Sequence, residues 1–113
     1  MTDRSPAARL RCLPVATVLG REVPVARTFR SRLLGLAHLD REQAGPGLLI
    51  PRCSSVHTFG MRFALDLCFL DDEGALLAIR RGVGARRLVS FAGARAVLEI
   101  PAAEGGEILP PEP

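Results

Sequence analysis

One stretch of this sequence, CSSVHTFGMRFALDLCFL from Cys53 to Leu70, gathers most of the side chains able to do chemistry. It holds thiols at Cys53 and Cys68, an imidazole at His57, and a carboxylate at Asp66 set among Leu65, Leu67 and Phe69. Three kinds of chemistry follow from those residue types. A thiol with an imidazole base and a carboxylate to orient it would form a nucleophilic triad. Against that stands the apolar setting of Cys68, where a thiol is inert. The same residues, in the order C-x3-H-x10-C with Asp66 nearby, could ligate zinc, although the spacing matches none of the usual paired-ligand knuckles. The third reading is a buried polar pair. A carboxylate inside an apolar strand needs partners, and His57, Thr58, Arg62 or a loop amide could supply them. With His57 as partner, the pair would make a pH-sensitive link. The site expected on this reading is a pocket lined by His57, Thr58, Met61 and Asp66, with Arg32 or Arg62 near its mouth.

The elements that must position these residues are mostly strands. Residues 1–9 are polar and read as a frayed N-terminus. From Leu10 to Leu19 the pattern is β-like, Gly20-Arg21-Glu22 marks a turn, and Val23 to Ala26 returns as a strand. Pro14 and Pro24 each lack a ladder donor, which places this hairpin at a sheet edge. TFRSRLLGLAHL, residues 28–39, has helical spacing at Phe29, Leu33 and Leu36, with Thr28 as N-cap. The helix should end near His38, whose side chain would be solvated or satisfy the helix dipole. Gly35 weakens this helix but would let it sit close to a sheet.

DREQAGPG is a loop, and Leu48-Leu49-Ile50 a short buried strand. Ala64 to Leu70, apolar on nearly both faces, reads as the central strand. Asp71 to Gly74 is a turn into a strand from Ala75 to Arg80. The sequence around Gly82 and Gly84 loosens the chain. Arg86 to Phe91 and Ala94 to Ile100 complete the strands; Ala96, Leu98 and Ile100 point inward, and Glu99 faces the other way between apolar neighbours. The tail, 102–113, is rich in Gly and Pro. The expected architecture is one mainly β (α+β) domain over residues 10–101. It is a compact sandwich or partly closed barrel of six or seven short strands, with one short helix after the first hairpin.

Composition narrows the function classes. A chain of 113 residues supports one core. A hydrophobic content of 48% argues for a globular fold over disorder. No apolar run approaches the ~20 residues of a membrane span, and no signal-peptide pattern is read, so a cytoplasmic location is expected. The net charge of +3 comes entirely through arginine, densest at Arg80, Arg81, Arg86 and Arg87. With no Trp or Tyr to stack bases and with acids interspersed, nucleic acid is not expected as a partner. Three cysteines with no CxxC spacing read as reduced thiols.

The motif order TFRSRLLGL, then GLLIPRCSSVHTFGMRFALDLCFLDDEGALLAI, then ARAVLEIP, resembles DUF192, a prokaryotic family of unknown function. The resemblance covers about residues 25–101 and centres on His57-Thr58-x-x-Met61-x4-Asp66-x-x-Phe69-Leu70. It implies a small, mostly β domain with a short helix after the first hairpin and implies no established reaction. Some short relatives occur beside pilus-assembly or secretion genes, which makes an accessory role there an expectation. Relatives commonly add a last helix and strand after the LE-x-P segment, where this chain has only EGGEIL. The function expected is therefore a monomeric, non-catalytic accessory domain, without a cofactor, that binds a small molecule or a protein. The alternative is a thiol- or metal-dependent enzyme using Cys53, His57, Asp66 and Cys68.

Overall fold

The computed structural model describes residues 6–103. The last residues of the expected tail, 104–113, and the first five of the expected frayed segment lie outside that range. Residues 6–9 are tied down: α1 spans Ala8–Arg11, Leu10 is buried, and Arg9 donates to the carbonyls of Gly35 and Ala37 at 3.0 and 2.6 Å.

At the centre is a four-stranded antiparallel sheet in the order β3-β8-β5-β6, formed by Leu48–Pro51, Ala96–Pro101, Leu65–Leu70 and Leu76–Val83. Every residue of β5 is buried, which agrees with its unbroken apolar sequence and its place between two neighbours. Side-chain alternation then assigns the two faces. Leu65, Leu67, Phe69 and Val97 face one core, together with Leu10, Leu36, Leu39 and Val56. Cys68, Leu70, Leu98 and Ile100 face a second, smaller core. That smaller core is covered by a separate hairpin, β1 (Val15–Val18) and β2 (Arg21–Pro24), through Val18 and Val23. The larger core is covered by α1, by the loop that follows α2 (Phe29–Leu34) and carries Leu36 and Leu39, and by a two-stranded pair, β4 (Ser55–His57) with β7 (Leu88–Ser90). Among the described residues there are thus eight strands in three sheets and two short helices, and no barrel closes.

Several local expectations shift by a few residues for identifiable reasons. The first turn is the pair Leu19–Gly20, with φ of 51° and 79°, the two-residue geometry that matches strand twist. The expected turn at 20–22 is therefore too late, and Leu10 belongs to a helix. Thr28 does cap α2, its Oγ1 accepting from the Ser31 amide at 3.0 Å while Ser31 answers back to the Thr28 amide. The helix, however, ends at Leu34 and not near His38, which is exposed. As a result Leu36 and Leu39 reach the core from a loop, while Phe29 is 80% exposed and Leu33 54% exposed. The chain does not loosen at Gly82 either: β6 runs on to Val83 through a bulge.

Candidate functional site

The strongest chemical feature lies on β8. Alternation along that strand turns Val97 and Glu99 toward α2, with Glu99 in register between Leu48 of β3 and Leu67 of β5. Its side chain is carried into the protein, where the residue is only 2% exposed. Directly over it α2 stops at Gly35, whose φ of 54° and ψ of −132° redirect the chain. A Cβ at Gly35 would stand 2.8 Å from Glu99 Oε1 and 3.3 Å from Oε2. Only glycine lets the backbone come this close to the carboxyl group, and only glycine takes that combination of φ and ψ readily.

Glu99 Oε1 is buried with no hydrogen-bond partner. Burial pushes the carboxyl group up to about 7, and a hydrogen bond from the Leu36 backbone N–H offsets this only in part. Leaving a buried acceptor unsatisfied costs about 1–3 kcal/mol. That cost is tolerated here at the wall of a cavity of about 310 Å³, whose lining includes Glu99, Arg32, Leu33, Cys53, Val56 and His57.

His57 stands on β4 beside this cavity and holds the end of α2. Its Nδ1 accepts from the Phe59 backbone N–H at 3.2 Å, and its Nε2 lies 3.1 Å from the Leu33 carbonyl. A backbone N–H can only donate, so Nδ1 carries the lone pair and Nε2 the proton. The imidazole is thus the donor that satisfies a free carbonyl in the last turn of α2, while His38 takes the solvated one of its two expected states. A second cavity of about 300 Å³ shares Leu33, Leu34 and His57 with the first and continues to Phe59 and Gly60.

The other expected site residues have separate duties. Asp66, 4% exposed, lies on the opposite face of the central sheet from Glu99, because it is in register with Ile100. Its Oδ1 accepts from the Gly82 amide at 2.8 Å, where β6 puts two residues against one. Gly82 has a φ of 62°, so the carboxylate fastens a bulge that glycine makes possible. The expected contact of His57 with Asp66 is not formed, since strand alternation separates them. Thr58 is fully buried; its Oγ1 donates to the Gly84 carbonyl at 2.7 Å and accepts from the Arg87 amide at 2.8 Å, which anchors the loop before β7. Met61 packs against the larger core. Arg62 pairs with Asp40 at 3.0 Å on the surface. Arg32 alone of the two expected mouth arginines lines the cavity, with its guanidinium donating to the carbonyls of Pro51 and Arg52.

The residues of the thiol or metal alternative do not gather. Cys53 packs against the larger core and its Sγ donates to the Ser55 carbonyl at 3.1 Å, while Cys68 lies in the smaller core. Burial, with the nearby charge of Asp66, pushes the Cys68 thiol up to about 11. All three cysteines are free. Among the described residues, no group of three or more His, Cys, Asp or Glu could hold a metal ion. None of the helices among them is long and apolar enough to cross a membrane.

From the sequence, Glu99 stands out only for its place between apolar neighbours and is not among the expected site residues. Its signal was the same as that of Asp66, a carboxylate flanked by apolar residues in a strand, and Gly35 was the hint that something approaches closely.

Comparison with known proteins bears on the fold. A model of the family DUF192, described as Uncharacterized ACR, matches residues 15–106. A crystal structure of a candidate transcription regulator from Sinorhizobium meliloti 1021 is similar with a TM-score of 0.63 and 19% identity, over 78% of this chain and 77% of that one. A protein of unknown function from Novosphingobium aromaticivorans DSM 12444 is similar with a TM-score of 0.57 and 19% identity, over 90% of this chain and 87% of that one. At such identity these structures speak for the fold alone. No curated protein matches the chain.

Proposed function

We propose that this chain, which belongs to the DUF192 family, is a non-catalytic binding domain whose site is the cavity between α2, β4 and β8. The observation that carries this reading is the buried, unsatisfied carboxyl oxygen of Glu99, a residue that lines a mostly apolar cavity. A buried polar group without a partner calls for an explanation, and a ligand that supplies the missing hydrogen bond is one. An apolar pocket with a few converging polar groups and a perturbed acid is the usual form of a small-molecule site. Of the residues expected from sequence, His57 and Arg32 belong to this pocket, and Glu99 takes the part that Asp66 was expected to play.

The test is an amide-shift screen of the labelled protein against small neutral fragments. Binding in the cavity perturbs the amides of Gly35, Leu36, Val56 and His57 together. Shifts scattered over the surface, or none from a broad fragment set, would sink this reading.

A protein partner is the second reading. The observation in its favour is the apolar rim: Phe29, Leu33 and Phe59, the last 55% exposed, stand at the mouths of the two cavities. A partner side chain entering between them would suit an accessory role in pilus assembly or secretion.

A further inference from the structure

The outer face of the larger core's cover is apolar and basic at once. Four of the six exposed large apolar side chains among the described residues, Phe29, Leu33, Phe59 and Leu88, lie on it. His57 joins them. Phe29 and Leu33 stand one turn apart on α2, and the Leu33 carbonyl takes the imidazole N–H. The Phe59 ring is 5.7 Å from the imidazole ring. Leu88 is opposite His57 in the β4–β7 pair, so both side chains leave the same face. A continuous exposed apolar surface marks an interaction site. Two hollows, of about 310 and 300 Å³, open beside Leu33 and His57. The charge here is one-sided. The segments that build this face, residues 27–39, 52–65 and 84–95, hold eight of the fifteen arginines and no Asp or Glu. Arg30 and Arg32 flank the Phe29–Leu33 ridge of α2. Arg86 and Arg87 adjoin Phe59, because the carbonyl and hydroxyl of Thr58 accept from their amides at 3.3 and 2.8 Å. Asp40, which follows the first of these segments, is already held by Arg62 at 3.0 Å.

We infer that this face is the docking surface for an acidic amphipathic peptide segment of another protein. The segment's apolar side chains enter the two hollows, and its carboxylates meet Arg30, Arg32, Arg86 and Arg87. The inference rests on the second reading above, a protein partner at this rim, and names that partner's chemistry. The guanidinium groups of Arg30, Arg86 and Arg87 have no acidic partner among the described residues. Arg32 gives N–H groups to the carbonyls of Pro51 and Arg52 and keeps the others. A carboxylate is the group that matches such a fork. Glu99 is the one acid in either lining. It is almost fully shielded from solvent, so the partner's carboxylates belong at the rim and its apolar side chains inside. The hollows also favour a peptide over an anionic membrane. A side chain fills a hollow and gains the contacts that an empty one forfeits, whereas a lipid surface lies across it. Recognition of an amphipathic segment by a groove works through such anchors.

The test is selection of short random peptides displayed on phage against the full chain, followed by anisotropy titration of the best synthetic peptide. Enriched sequences should combine Asp or Glu with Leu, Phe or Trp. The selected peptide should bind roughly tenfold more weakly when its acids are changed to Gln, and more weakly still when they are changed to Lys. Raised salt should weaken it as well. Phe29→Ser combined with Leu88→Ser should cost roughly tenfold. Arg86→Glu combined with Arg87→Glu should reject the acidic peptide and accept its Lys version, which an unfolded variant cannot do. The peptide series on the wild-type chain decides the charge assignment even if the variants fail to fold. Neutral or basic sequences in the enriched pool would overturn the acidic assignment and leave a protein partner standing. If nothing is enriched and the chain sediments with vesicles of phosphatidylcholine and phosphatidylserine, the face belongs to a membrane and the peptide falls. With neither result, both the inference and the protein-partner reading fall, and the fragment screen decides the small-molecule reading separately.

Discussion

The central sheet buries two carboxylates, one on each face, and they live differently. Asp66 is turned toward the smaller core beneath the β1–β2 hairpin, and its oxygen meets the Gly82 amide in a bulge of the neighbouring strand. Glu99 is turned toward α2, and one of its oxygens meets nothing. Both are flanked by apolar residues, and both are almost completely removed from water. The difference is that a bulge hands Asp66 a donor, while the approach of Gly35 leaves Glu99 at a cavity wall. A buried acid with its partner supplied by its own sheet is part of the framework. A buried acid whose partner is missing is the feature on which the proposed site rests.

The comparison breaks most readily through pH. The folded-state pKa of Glu99 is raised above its unfolded value of 4.5 to about 7, so the folded protein binds this proton more tightly than the unfolded chain. The stability tied to the protonated acid is complete below about 4.5 and is lost as pH rises through about 7, on the order of 3 kcal/mol in all. Denaturant midpoints of the wild type should fall across that window, and those of Glu99→Gln should not share the fall. Equal slopes in the two proteins would remove the distinction between the acids.

The next largest effect is expected on the other face. Asp66→Ala leaves the Gly82 amide without its acceptor and should cost about 2 kcal/mol, the range for hydrogen bonds to charged groups. It should leave the cavity unchanged, so fragment-induced shifts at Leu36 and Val56 persist in the folded variant. A neutral Asp66→Ala in urea unfolding would say that the bulge holds without its acid. The smallest effect sharpens the contrast between buried and exposed acids. Arg62→Ala breaks the surface pair with Asp40 and should change stability by roughly 0–1 kcal/mol, less at high salt. A larger loss would show that loop charge matters as much as buried charge.

What sequence could tell depended on range. The turn at Asp71–Gly74, the Thr28 cap and the unbroken apolar run of β5 are local features, and local residue types were enough to place them. The end of α2 was misjudged because leucines at 33, 34, 36 and 39 continue a helical spacing past Gly35, and nothing nearby says that a strand sixty-odd residues later needs that glycine. The same limit hid the site. Asp66 and Glu99 look alike in sequence, and what separates them is which face each strand turns to which cover. His57 was expected to meet Asp66, but its partner is a helix carbonyl, a group that no side-chain motif announces.

The position of β8 between β3 and β5 also governs how the molecule comes into being. It is the last strand among the described residues, yet two earlier strands are joined through it, so β3 and the edge of β5 away from β6 wait for their sheet partner until residues 96–101 have left the ribosome. Pairings this distant along the chain are slow to find. A nascent chain cut short before Ala96 would leave β3 and one side of β5 as open edges, poised for other chains. The residue that completes the cavity arrives on the very segment that closes those edges.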